Sequence, residues 1–197
     1  MKTTFSSLAL LALLIPRSRN RKERGMSKLY SGMICVLIGA GAYAQAPKSD
    51  ASATYVSPAQ MTEALKSAPR QDAPLIDRPV RVVDAGGHNL GVAMVQRTRA
   101  DQNALVHDKI DEIYYVLEGG GMLVTGGALV NAKQTSDSPT IGPGWSGTSI
   151  QGGQSRRVTA GDVVIIPAGL PHMFSQLDGP IRYLVYRVDP SRVLALK

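Results

Sequence analysis

Gly161-Asp162-Val163-Val164-Ile165-Ile166-Pro167-Ala168-Gly169-Leu170-Pro171-His172 joins a turn, a strand, a rigid corner and one histidine in a single short run. Gly161 with Asp162 makes a tight turn, the β-branched residues 163–166 suit a strand covered on both faces, and Pro167-Ala168-Gly169 stops that strand sharply. His172 is then delivered at a fixed point. The run reads as the ligand-bearing edge of a β-barrel.

A second run upstream has the same character. In His107-Asp108-Lys109-Ile110-Asp111-Glu112-Ile113-Tyr114-Tyr115-Val116-Leu117-Glu118-Gly119 a histidine and a carboxylate lead into an aromatic and β-branched strand. Together the two runs resemble the cupin family, whose motifs are G-x5-H-x-H-x3or4-E-x6-G and G-x5-P-x-G-x2-H-x3-N. In the second motif Gly161, Pro167, Gly169 and His172 fall at the family spacing, and Gln176 stands at the asparagine position. In the first, His107 takes the second histidine position, with Glu112 and Gly119 following at the expected intervals. Leu105 occupies the first histidine position and Arg99 that of the leading glycine, so one usual metal ligand is missing. The resemblance covers about residues 90–188 and implies an all-β double-stranded β-helix, the jelly-roll or cupin barrel, with a metal at its mouth.

Composition narrows the setting. Of the 197 residues, the first 44 read as export signals. Lys2 and the apolar run Phe5 to Ile15 are followed by a basic run, Arg17 to Arg24, without a small-residue cleavage site. From Met26 the pattern is cleaner: Lys28 as charged n-region, Met33 to Ala40 as apolar core, and Ala42-Tyr43-Ala44 before the cut at Gln45. Met26 is therefore the expected start and residues 1–44 the expected leader, with cleavage after Ala44. The apolar runs fall short of the about 20 residues that span a bilayer, so no stable membrane anchor is expected. The leader takes with it seven of the 22 basic residues and one of the 15 acidic ones, leaving a net charge of +1. The pI near 9.7 thus belongs to the leader and gives no reason to expect a nucleic-acid partner. The one cysteine, Cys35, also lies there, which leaves the mature chain without disulfide or thiol chemistry. The expected compartment is the periplasm or the exterior.

Residues 45–78 read as a flexible tether followed by a short helix, and residues 79–197 as the cupin β-barrel domain. Ser57 is the N-cap, Pro58 the first helical residue and Gln60 the partner in a capping box, which predicts a helix to about Ser67. From Pro79 short strands alternate with Gly-rich turns: Val80–Val83, Leu90–Arg97, Ile113–Leu117, Met122–Val124, Arg157–Val158, Val163–Ile166 and Tyr183–Val188. Gly119-Gly120-Gly121 reads as a hairpin turn. Residues 131–156 read as a solvent-exposed insertion, or as a lid that turns Trp145 and Gln151 toward the barrel mouth.

In a rolled antiparallel sheet, ligands remote in sequence converge on one mouth. His107, Glu112 and His172 are the candidate metal ligands: two imidazoles and a carboxylate suit a divalent transition metal, with iron, manganese, zinc, nickel and copper all admissible. His107 is five residues from Glu112, so a regular strand would set them on opposite faces. A turn or bulge within Asp108 to Asp111 must intervene, and Asp108, which shares the parity of Glu112, is the alternative ligand. Tyr114, Gln176 and Trp145 are the candidate substrate-pocket residues. Arg182 and Arg187, five apart on a late strand, face opposite ways; one of them meeting an anionic ligand is the alternative to the favoured reading of a solvent-facing arginine, and His88 reads as a surface or structural residue. The expected function is an exported single-domain cupin acting on a small molecule, with dioxygenase-like or isomerase-like chemistry. The competing expectation is a non-catalytic ligand-binding module, and edge-strand pairing into a homodimer is compatible with either.

Overall fold

A computed structural model describes residues 52–197. The expected leader with its expected cleavage after Ala44, Met26 and Cys35, and most of the expected tether lie outside the described residues. The helix α1 spans Pro58–Lys66 and carries the capping box: Ser57 Oγ accepts from the Gln60 amide at 3.3 Å and the Gln60 side chain accepts from the Ser57 amide at 2.9 Å. Thirteen strands follow: β1 (Leu75–Asp84), β2 (Asn89–Arg97), β3 (Ala104–His107), β4 (Asp111–Glu118), β5 (Gly120–Thr125), β6 (Ala128–Val130), β7 (Lys133–Thr135), β8 (Gly144–Gly147), β9 (Ser149–Gln151), β10 (Gln154–Thr159), β11 (Val163–Ile166), β12 (His172–Leu177) and β13 (Ile181–Asp189). No helix among the described residues is long and apolar enough to cross a membrane.

The strands form a five-stranded sheet in the order β1-β2-β13-β4-β11, a six-stranded sheet β10-β5-β12-β3-β8-β7, and a ribbon β6-β9. Every pairing is antiparallel, and each large sheet collects strands from distant parts of the chain. This is the jelly-roll order of a double-stranded β-helix, although the hydrogen bonding keeps the two sheets separate and does not run continuously around a closed barrel. The core lies between them: Val95, Tyr114, Val116, Tyr183 and Val185 from the five-stranded sheet meet Leu123, Val158 and Phe174 from the six-stranded one. These residues recur at alternate positions, as a sheet with one face on the core requires. On the outer face of the five-stranded sheet α1 lays Ala64, Met61 and Leu65 over Val80, Met94 and Leu184, which positions the helix without bringing it near the inter-sheet space.

Four sequence expectations change here. The β11 run is covered on one face only, with Val163 60% and Ile165 67% exposed. β11 is the last strand of its sheet, and α1 covers the other end of the outer face. Residues 131–156 are not a structureless insertion but hold β7, β8, β9 and the start of β10; their short, polar strands lack a strong alternating signature. β1 begins at Leu75 and passes through Pro79, which an edge strand tolerates beside the bulge at Pro79/Arg81. The glycine run is a corner between sheets, since β4 and β5 do not pair with each other. Gly119 adopts φ +78°, and a Cβ there would stand 2.2 Å from the Pro180 carbonyl oxygen, so only glycine fits the crossing.

Candidate metal centre

The two sequence motifs meet because the corner of the second is tied to the strand of the first. The Gly169 amide donates to the His107 carbonyl and the Ala168 amide to Asp111 Oδ1, both at 2.8 Å. β12 then starts at His172, which sits directly across from Leu105 in the register of β3 and β12. His107 is the last residue of β3, and Glu112 lies on β4 in the opposite sheet. The parity conflict is resolved by this change of sheet: residues 108–110 connect two strands, and no bulge within one strand is needed. Asp108 is exposed on the outside of that connection and does not reach the cluster.

His107, Glu112 and His172 are all buried, and one donor atom from each lies within 4.8 Å of the others. Nε2 of His107 stands 3.6 Å and Nε2 of His172 3.7 Å from the same oxygen, Glu112 Oε2. With metal–ligand lengths of about 2.0–2.2 Å, ligands of one ion lie roughly 3.0–3.5 Å apart, so the cluster is nearly at coordinating separation. His172 Nδ1 is 3.0 Å from the Leu170 carbonyl oxygen. A proton donated there leaves Nε2 as a bare lone pair facing the cluster, the outer bond typical of a metal-binding histidine.

The electrostatics favour the same states. Burial lowers the proton affinity of both imidazoles: His107 falls from 6.5 to about 4 despite the neighbouring Glu112, and His172 falls as well. Burial pushes the Glu112 carboxyl up, but the Arg187 guanidinium and the two imidazoles more than offset it, leaving the group at about 2. At neutral pH the cluster is therefore two neutral imidazoles and a carboxylate, the protonation state a divalent cation needs. The donor set fits such an ion.

Sequence reasoning placed Arg187 opposite Arg182 without choosing which one turns inward, and favoured a solvent-facing role over an anionic contact. Arg187 is 3% exposed, with Nε donating to Glu112 Oε1 at 2.9 Å, Nη2 to Asp77 Oδ2 at 2.5 Å and Nη1 to the Thr140 carbonyl at 3.1 Å. Its signal was present: in β13, Tyr183, Val185 and Arg187 share the inward parity, and a charge on that side needs a buried partner. Arg182 faces outward, opposite to Arg187, and pairs with Glu118 at 2.7 Å. Asp77, Arg97 and Thr140 were missed, and each lines the cavity beside the cluster, a hollow of ≈150 Å³. Tyr114 lines it, and its hydroxyl donates to Glu112 Oε2 at 3.0 Å; burial holds that phenol protonated. Trp145 and Gln176 do not line it. Trp145 pairs with Val106 on β8 and is 40% exposed, while Gln176 is exposed next to a β-bulge of β12. Gln151 lies on β9, paired with Ala128. Thr140 and Ile141 are what the 131–156 segment contributes to the cavity wall. His88 takes no part in the cluster.

No family model matches the chain, and no curated protein matches it. Among solved structures it is similar to a conserved protein with a double-stranded beta-helix domain from Klebsiella pneumoniae, at 15% identity and TM-score 0.43 over 74% of this chain and 97% of that one. It is also similar to an oxalate oxidase, at 19% identity and TM-score 0.41 over 75% and 66% of the two chains. A Bacillus halodurans protein aligns at 16% identity and TM-score 0.40 over 70% and 82%. The sheet order and the imidazole–carboxylate cluster between the layers are the chain's own features, and they give it the double-stranded β-helix arrangement that its two motifs imply.

Proposed function

We propose that this chain is an exported single-domain cupin that binds one divalent transition-metal ion through His107, Glu112 and His172 and acts on a small molecule in the adjoining cavity. The observation that carries the reading is the cluster itself: three buried donors from two sheets, each in the protonation state a cation requires. The ion would supply Lewis acidity, or dioxygen activation if it is iron. The protein's own groups prepare the place. Arg187 keeps Glu112 ionised and aims it, the Leu170 carbonyl orients His172, and the protonated Tyr114 hydroxyl holds the second carboxylate oxygen. Leu75, Val95, Leu105 and Val185 give the cavity apolar walls that exclude water. Export rests on the leader-like residues 1–44, and fractionation of cells producing the untagged protein tests it.

Elemental analysis of protein purified without affinity tag or chelator is the deciding experiment. Near-stoichiometric metal that is lost in both His107→Ala and His172→Ala supports the reading; metal absent from the wild type refutes it. A non-catalytic binding module is the second reading, favoured by Leu105, which presents an alkyl group opposite His172 where the family motif has a ligand. Oxygen uptake by the loaded protein with aromatic and thiol candidates separates an oxygenase from a binder.

A further inference from the structure

The inner cavity and its rim hold a charge count that a metal alone does not balance. Arg97 and Arg187 face Asp77, Asp101 and Glu112, two cations against three carboxylates, and a histidine that ligates a metal carries no charge. Their sum is −1, and a divalent ion turns it to +1. A net charge in a space poorly reached by water calls for a counter-ion.

The two arginines differ in what they have left to give. All three nitrogens of Arg187 donate to Glu112, Asp77 or the Thr140 carbonyl. Arg97, 6% exposed at the inward end of β2, donates from Nε to the Tyr183 hydroxyl at 2.7 Å and pairs through Nη1 with Asp101. No hydrogen bond joins its Nη2 to a described residue, nor is that atom among the sealed, unpartnered ones. It lines the same cavity as the histidines and Glu112. The guanidinium lies against the Phe174 ring, 5.6 Å from the centroid, which limits its freedom to turn away.

We propose that the loaded site takes a small monocarboxylate, its carboxylate received by Arg97 and its apolar part lying against Val95, Leu105 and Val185; this rests on the metal reading above. The ≈150 Å³ volume is about that of a cavity that admits one benzene-sized guest, so the ligand is a short-chain or single-ring acid. Entry is through the neighbouring ≈300 Å³ hollow, which shares Leu75 and Leu105 with the inner cavity and carries Arg99. Leu105 thereby acquires a role: a histidine there would fill a coordination position, whereas leucine forms the apolar wall between vestibule and chamber.

The test uses the mature protein loaded with Mn2+ and measures proton relaxation of propionate, with propionamide as the neutral isostere. The result expected is strong relaxation of the propionate methyl signal, at least about tenfold less for propionamide, a difference equivalent to one charge-assisted contact. Arg97→Gln should abolish the propionate effect with Mn2+ stoichiometry unchanged. Asp101→Asn, which removes the competing carboxylate while keeping an oxygen for the Phe174 amide, should tighten propionate binding severalfold. Equal relaxation of acid and amide by the wild type overturns the proposal, as does full propionate relaxation in a folded, Mn2+-loaded Arg97→Gln. Electron paramagnetic resonance of free Mn2+ isolates the other failure: if the ion stays in solution, the metal reading itself falls and this inference with it.

Discussion

Replacing Arg187 with methionine probes how the centre is held together. The substitution keeps a long apolar stem and removes the only cation among the described residues that contacts Glu112, which is 2% exposed, while also freeing Asp77. A carboxyl held at about 2 instead of 4.5 contributes on the order of 3 kcal/mol to folding above pH 4.5. Losing one partner of a buried pair costs about 3–5 kcal/mol, so the two routes agree. Urea unfolding of metal-free protein at neutral pH should show that loss, and melting should fall by on the order of 10 °C. The loss should depend on pH. Glu112 has a depressed proton affinity in the fold, so its stabilisation is complete above 4.5 and disappears as pH falls through about 2. The gap between wild type and Arg187→Met must therefore narrow across that window. A stability change under about 1 kcal/mol, or a gap that stays constant with pH, would refute the view that Arg187 sustains a buried carboxylate.

Further outcomes follow from the same geometry. His107 is neutral in the fold but protonates below 6.5 when unfolded, so metal-free protein should lose on the order of 3 kcal/mol as pH falls from 6.5 to about 4. Urea midpoints across that range should show the slope, reduced in His107→Leu. Asp108→Ala should keep its full metal content by elemental analysis, because Asp108 is exposed outside the cluster. Gly119→Ala places a Cβ against the Pro180 carbonyl at φ +78° and should cost at least about 3 kcal/mol, read by denaturant unfolding or as failure to accumulate. Leu105→His adds a donor opposite His172 and should raise metal affinity about tenfold or more in a chelator competition, at the expense of propionate binding.

The candidate ligands could be read from sequence because each motif is local: a turn, a strand and a ligand at set intervals. Their partners were not, because Arg187 meets Glu112 and Asp77 across three strands, and only sheet order brings those strands together. Parity alone separated Arg182 from Arg187, but the choice of which one faces inward needed the run Tyr183, Val185, Arg187 to be followed to its end. Trp145 and Gln176 stand apart from that cavity for a related reason. Trp145 belongs to a short polar strand whose pairing with β3 turns it outward, and the bulge between Phe174 and Gln176 breaks the alternation on which Gln176 depended. In β11 a run of β-branched residues looked buried on both sides; composition cannot distinguish a central strand from the last one of a sheet.

The imidazoles come from one sheet and the carboxylate from the other. An ion seated among them would act as a cross-link between layers held together by side-chain packing and by the chain's own crossings, resisting any sliding of one over the other. With the chain's lone cysteine in the leader-like segment, no sulfur bridge can perform that stapling in the rest of the chain. Withdrawal of the cation would then register as a loosening of the whole sandwich, well beyond the emptied centre.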